Sequence, residues 1–369
     1  MKIGIVTFQR SKNYGGVLQA YALYNTVNRL GHTAKMVDYW PSYRREMQYT
    51  FPPNFWKLNL KRKITSIVRY VLTFQNLKLK NKRFDEFTYS FLGLRGSEPY
   101  LDGEQIEETF DVCLYGSDQV WRSYRLDSLN GIDDFYFGKY PKNCRNKVSY
   151  AASMGSLNHE RETYEEIGLL LNNFKSISVR EKSLQEFLDL NYGINAALVC
   201  DPTFLLTKES WREIIPSKRL VSKKYVLFYN LMPSDLGSKV AKEIARINNF
   251  EVIELSHNLF NSAVENRISS SAGPLEFLNL VYYSEFVVSS SFHGMAFSII
   301  LQKQFFAAGM KDKSDRALTA LEFLNLSDRY LNNFEEFDAY RQIDFQKVES
   351  KLVKYRESSL SFINQSILK

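Results

Sequence analysis

Short apolar runs, several of them ending in a Gly, Ser or Asp, alternate with amphipathic stretches through both halves of the chain. The first is KIGIVTF. It is followed by GGVLQAYALYNTVNRLG, in which apolar residues return at helical spacing, and then by a second strand, TAKMVDY. A βαβ start of this kind commits the chain to a parallel sheet. DVCLYG, KVSYAAS, SISVRE and ALVCDPTF read as further strands, and a second run begins near Lys223 with YVLFYNL. That run continues with a helix over Leu236 to Ile247, the strand EVIEL, a helix over Leu275 to Tyr283, the strand EFVVSS and the helix of GMAFSIILQK. The pattern predicts an α/β protein of two Rossmann-like domains facing each other across a cleft. Their predicted ranges are residues 1–205 and 206–334, with a boundary near Leu206 to Ser222 and a basic insertion over 41–84. Residues 335–369 read as amphipathic helices that pack back on the first domain.

The 369 residues exceed what one hydrophobic core usually serves, which agrees with two domains of roughly 150 to 200 residues each. No stretch is apolar for long enough to span a bilayer, and the start lacks the apolar core and cleavage site of a secretory signal. A cytoplasmic protein is expected. Cys113, Cys144 and Cys200 are odd in number and widely spaced, which suggests reduced thiols rather than a disulfide framework or a zinc site. The net charge of +7 points to anionic partners without choosing among phosphorylated small molecules, lipid headgroups and nucleic acid.

Strand ends are where α/β sheets bind ligands, so the turns that follow the strands carry the functional reading. In SSSFHGMAFSIILQK, Ser289 to Lys303, a strand opens directly into a helix whose N-terminus favours an anion. Ser289, Ser290 and Ser291 can donate to phosphate oxygens, Gly294 lets a ligand approach, and His293 can donate a hydrogen bond or a proton. A capping serine beside a structural histidine is the bland alternative. In YGSDQVW, Gly116 permits a sharp turn, Ser117 and Gln119 flank Asp118 at the sheet's carboxyl end, and Trp121 offers an apolar face for a sugar. The alternative is a capping Asp and a core Trp. NYGGVLQAYAL lacks a dinucleotide fingerprint, but Asn13, Tyr14, Gly15 and Gly16 allow close backbone approach at a helix start. Arg180, just after SISV, could fork onto a carboxylate or phosphate, or be a solvated residue at a helix start. YAASMG and DPTF are similar turns, each explicable as loop chemistry alone. No His/Cys/carboxylate cluster at ligand spacing suggests a metal.

Taken in order, NYGGVLQAYAL, GSDQVW, YAASMG, SVREKS, DPTFLL and the SSSFHG segment resemble the polysaccharide pyruvyl transferase family, from Ile3 to about Arg329. The resemblance implies two Rossmann-like domains in a GT-B arrangement, phosphoenolpyruvate as donor, a hexose acceptor in a growing polysaccharide, and a cyclic pyruvate ketal as product, with no cofactor. It also implies Arg180 as a clamp on phosphoenolpyruvate and His293 as the acid or phosphate ligand, and Asp118 suits a base near the acceptor hydroxyl. The acceptor side would comprise Asn13, Tyr14, Gly15, Gly16, Ser117, Gln119 and Trp121. Many relatives carry an Arg two residues before the histidine; here that position is Ser291. Lys311, Lys313 or Arg316 could supply the missing charge.

From Phe55 to Phe84 the chain has many Lys and Arg, interleaved Trp, Tyr, Leu and Ile, and no acid. Such a segment suits an anionic membrane surface at the inner face of the cytoplasmic membrane and a lipid-linked acceptor; a solvated basic helix is the alternative. Two rival functions remain open: a nucleotide-sugar glycosyltransferase on the same fold, and a non-catalytic anion- or RNA-binding protein. The basic residues outside this stretch are dispersed, so no nucleic acid is expected.

Overall fold

Burial on both faces makes a parallel strand read as a nearly continuous apolar run, and the strands of this chain follow that rule. In the computed structural model, which describes residues 1–48, 55–155, 157, 161–256, 271–310 and 315–368, they form two all-parallel sheets. The first comprises β1 (Lys2–Val6), β2 (Thr33–Met36), β3 (Phe110–Tyr115), β6 (Cys144–Ala152), β7 (Ser176–Val179) and β8 (Ala197–Leu198), in the spatial order β2-β1-β3-β6-β7-β8. The intervening β4 (Ser123–Leu126) and β5 (Leu129–Ile132) make a separate antiparallel hairpin that the sequence pattern did not anticipate. The second sheet comprises β9 (Tyr225–Asn230), β10 (Glu251–Ser256), β11 (Phe286–Ser289), β12 (Gln304–Ala308) and β13 (Tyr330–Leu331), in the order β10-β9-β11-β12-β13. Both are thus doubly wound, and in each the order reverses beside the first strand, between β1 and β3 and between β9 and β11. Those two reversals are where ligands bind in open α/β sheets.

The predicted helices appear at Asp235–Asn248, Pro274–Tyr283 and Phe292–Ile300, within a few residues of their expected bounds. The halves share one core. Tyr14, at the start of the first helix (Tyr14–Arg29), stacks on Phe277 with ring centroids 4.8 Å apart, while Trp211 lies edge-on to Phe297 at 4.9 Å and tilted against Tyr21 at 5.4 Å. The final helix, Phe345–Leu368, ties the two halves again. Its Ser359 Oγ accepts from the Cys200 amide at 2.9 Å, its Arg356 Nε donates to the Phe204 carbonyl at 2.9 Å, and its Tyr355 stacks on Phe323 at 4.3 Å. The basic segment forms a 32-residue helix, Leu60–Phe91, whose C-terminal half is anchored by the buried Phe84 and Phe87. All three cysteines are free thiols. Among the described residues no helix is long and apolar enough to cross a membrane.

Candidate active site

The loops leaving β1 and β3 meet those leaving β9 and β11 around a cavity of about 490 Å³. On the β1 side, Asn13 caps the first helix, its side chain accepting from the Gly15 amide at 2.9 Å. Gly15 faces His293 so closely that a Cβ there would fall 2.0 Å from the imidazole Nδ1, which explains why no side chain is present. On the β3 side, Gly116 has φ +123, and an added Cβ would lie 2.2 Å from the Tyr150 carbonyl. Asp118 follows with φ +66, a left-handed conformation that is costly for a residue with a Cβ and typical of functional turns. The consequence is a carboxylate turned into the cavity, one oxygen accepting from the Gln119 amide at 2.9 Å.

Beneath this turn lies a buried charge network. Arg180, 2% exposed, pairs through Nη1 with Asp201 and donates from the same nitrogen to Ser117 Oγ at 3.0 Å. Its Nε donates to Glu181 at 3.3 Å, and Nη2 lies 3.6 Å from Asp118 Oδ1. His293 Nε2 is 3.7 Å from Asp201 Oδ2, an ion-pair distance rather than a hydrogen bond. Burial alone would push the Asp201 carboxyl up, but Arg180 and His293 hold it well below the usual carboxylate range. For Asp118 too, burial is outweighed by facing positive charge, first Arg180 and then His293 and Arg316, so its carboxyl is also held low. Glu181 goes the other way: burial raises it despite Arg180 beside it.

The second domain contributes the helix Phe292–Ile300, entered from β11. Ser289 Oγ accepts from the Ser291 amide at 3.0 Å, and Ser290 Oγ accepts from the Met232 amide at 3.0 Å. Ser291 is the N-cap yet makes no side-chain cap bond, so the first-turn amides lack that partner. The Phe292 ring carries two guanidinium groups, Arg180 at 5.6 Å and Arg316 at 5.5 Å from its centroid. Arg316 is pushed to a lower pKa by burial and next by repulsion from Arg180, which together outweigh the nearby Glu181, Asp118 and Asp201 carboxylates. Three nitrogens in this cluster, Arg180 Nη2, Arg316 Nε and His293 Nε2, are buried with no hydrogen-bond partner among the described residues. Unsatisfied buried donors of this kind cost free energy unless a ligand meets them.

The structure thus brings Asp118, Gln119, Asn13, Ser290, Ser291, His293 and Arg316 to one cavity wall or another, with Arg180 directly behind Asp118. Lys311 and Lys313 lie outside the described residues. Other expected contacts are placed elsewhere. Trp121 is fully buried, its Nε1 donating to the Tyr136 carbonyl and its ring stacked on Phe137, so it cannot offer a face to a sugar. Ser117 is buried and holds Arg180, and Tyr14 is buried with its hydroxyl on the Ala272 carbonyl. Ser289 and Gly294 pack beneath the turn, where a Cβ on Gly294 would lie 2.2 Å from Ser289 Oγ. Gly16 packs against Ser11, with Asp118 just beyond. Sequence reasoning missed Asp201, whose DPTF turn looks like any loop, and Phe292, which looks like a core residue. It also missed Lys12, Arg44, Lys80 and Arg122, cations that join the cavity from distant segments. Among the described residues no group of three His, Cys, Asp or Glu side chains could hold a metal ion.

Comparison with curated proteins gives no match. Similar solved structures include an epimerase described as a putative UDP-N-acetylglucosamine 2-epimerase from Listeria monocytogenes, with TM-score 0.45, 10% identity, and 99% of this chain and 91% of that chain covered. UDP-N-acetylglucosamine 2-epimerase from Rickettsia bellii gives 0.44, with 13% identity over 99% of this chain and 98% of that one. Spinosyn rhamnosyltransferase complexed with thymidine diphosphate gives 0.39, with 10% identity over 100% and 96%. The sequence match is firmer: the family model for polysaccharide pyruvyl transferase aligns with residues 13–311, a span that contains the strand-end turns, the buried Arg180–Asp201 pair and His293. This chain therefore belongs to the polysaccharide pyruvyl transferase family and is a transferase.

Proposed function

We propose that the protein moves the pyruvyl group of phosphoenolpyruvate onto two hydroxyls of a hexose, forming a cyclic ketal and releasing phosphate. The observation that carries this reading is the set of buried nitrogens on Arg180, Arg316 and His293 that have no hydrogen-bond partner among the described residues, beside a helix N-terminus. A small ligand bearing both a carboxylate and a phosphate matches such a set, because each anionic group gains charge-assisted hydrogen bonds from nitrogens that burial has shielded from solvent. Arg316 takes the place of the guanidinium that Ser291 lacks, and Phe292 holds it beside Arg180.

The chemistry then divides between the two walls. His293 gives a proton to the methylene carbon, which becomes a methyl group and leaves the adjacent carbon electron-poor. One sugar hydroxyl adds to that carbon and sheds its proton. A second hydroxyl then displaces phosphate, breaking the C–O bond to the leaving group and closing the ketal ring as it loses its own proton. Arg180 and Arg316 stabilise the charge that grows on phosphate. Asp118, held in its carboxylate form by Arg180, accepts from the acceptor hydroxyl and orients it; its lowered pKa makes it a weaker base than an ordinary carboxylate.

Calorimetric titration with phosphoenolpyruvate, beside a panel of nucleotide sugars, tests the reading. Saturable phosphoenolpyruvate binding is expected, weakened about 10- to 100-fold in Arg316→Met, as for loss of a charged hydrogen bond. His293→Ala should still bind the donor but release no phosphate when a sugar acceptor is added. Binding of a nucleotide sugar with no response to phosphoenolpyruvate would overturn the proposal in favour of a glycosyltransferase.

A further inference from the structure

The helix Leu60–Phe91 is about 48 Å long at 1.5 Å per residue, and only its C-terminal half is packed into the protein. Between Leu60 and Leu79, Thr73 is the one buried side chain among the described residues. From Leu60 to Leu72 the aliphatic side chains face solvent. Leu60 is 75% exposed, Ile64 54%, Val71 67% and Leu72 66%, and Trp56 just before the helix is 82% exposed. At 100° per residue, Leu60, Ile64, Ile67, Val68, Val71 and Leu72 fall on a single face, so this is a contiguous stripe and not a scatter of surface residues. A continuous exposed stripe of this size marks an interaction surface.

The charges decide what covers it. Phe55 to Phe84 contains nine Lys and Arg and no Asp or Glu. Two copies of this helix laid against each other would set cation against cation with no acid in the segment to pair them. A partner that is apolar beneath and negative at its surface satisfies both properties, and Trp56 has the amphipathic ring that settles at such a boundary. We infer that the N-terminal half of this helix docks on an anionic lipid bilayer, lying in the headgroup region with its apolar stripe inward. The other end of the same helix supplies Leu77, Lys80 and Asn81 to the cavity wall. Docking therefore sets the cavity next to the membrane surface, where a sugar carried on a lipid would arrive. The inference rests on the exposed stripe and its charge, and stands whichever donor the cavity takes.

Sedimentation with vesicles at low salt tests it, using phosphatidylcholine alone and phosphatidylcholine mixed with phosphatidylglycerol. The intact protein should pellet with the mixed vesicles and stay in solution with the neutral ones. Neutralising three exposed or half-exposed cations in Lys61→Gln/Arg62→Gln/Lys63→Gln should lower partitioning on the order of 100-fold, about fivefold per charge. Ile64→Asp/Val71→Asp should abolish it at unchanged circular dichroism. Three results would overturn the inference. One is failure of the intact protein to bind the mixed vesicles, and another is undiminished binding of the triple variant, which would mean attraction by general net charge. The third is a dimer by light scattering that Ile64→Asp/Val71→Asp splits, which would make the stripe a contact between copies.

Discussion

At the scale of single residues, the site depends on a contact that no local motif announces: Gly15 in the first domain against His293 in the second. The Cβ that alanine would add lies 2.0 Å from Nδ1, 2.4 Å from Cγ and 2.4 Å from Cε1, so the whole ring would have to move. Gly15→Ala should therefore lower turnover by at least 100-fold, as expected when a catalytic group is misplaced by about 1 Å, and lower stability by about 1 to 3 kcal/mol through overpacking against the buried ring. Phosphate release against thermal denaturation separates the two effects; unchanged turnover would remove His293 from the chemistry. The residue scale also shows why some assignments were legible in sequence and others were not. His293 and Asp118 follow apolar strands directly, and strand ends point to the ligand. Trp121 follows the same strand, but whether a Trp faces solvent depends on Tyr136 and Phe137, residues reached only after the β4–β5 hairpin. Asp201 pairs with Arg180 across 21 positions because β7 and β8 are neighbours in the sheet, and spacing in the chain carries no sign of that.

At the scale of elements, the helix Leu60–Phe91 is the part whose role composition foreshadowed without fixing its geometry. The acid-free run was visible, but not that Lys80, on its inward face, would reach the cavity lined by residues 11–13 and 290–293. Lys80 is buried over the rings of Tyr14 and Phe84, at 5.2 and 5.9 Å, and burial lowers its pKa to about 8. The sign follows from linkage. Between about pH 8 and the ordinary lysine value near 10.4 the unfolded chain binds the proton and the folded chain does not, so folding gains stability as pH rises through that window. Relative to Lys80→Met, the unmodified protein should gain stability from about pH 8 to 10, measured as the difference in urea midpoints. The same deprotonation removes a positive charge from the cavity. Affinity for phosphoenolpyruvate should fall as pH passes about 8, and Lys80→Met should show a weaker but flatter profile. A parallel fall in both proteins would place Lys80 away from the donor.

At the scale of the whole molecule, two doubly wound sheets suggest two independent units, and the repeated strand–helix rhythm of the sequence reads that way. The packing gives a different expectation. Tyr14 and Tyr21 from the first half, Trp211 from the connection, Phe277 and Phe297 from the second half, and Leu352, Tyr355 and Ile363 from the final helix belong to one continuous buried cluster. A first-half side chain thus loses apolar partners if the second half unfolds, and the final helix loses partners on both sides. When the interface is built like a core, the free energy of separating the halves is comparable to that of unfolding either one, and all-or-none behaviour extends across both. Calorimetry should therefore show a single transition whose calorimetric and van't Hoff enthalpies agree. On the proposed function, phosphoenolpyruvate bound in a cavity lined by Asp118 from one half and by His293 and Arg316 from the other should move that transition upward as a whole. Two resolved transitions, with only the later one moved by ligand, would mean that the halves fold separately and that the second domain holds the donor without the first.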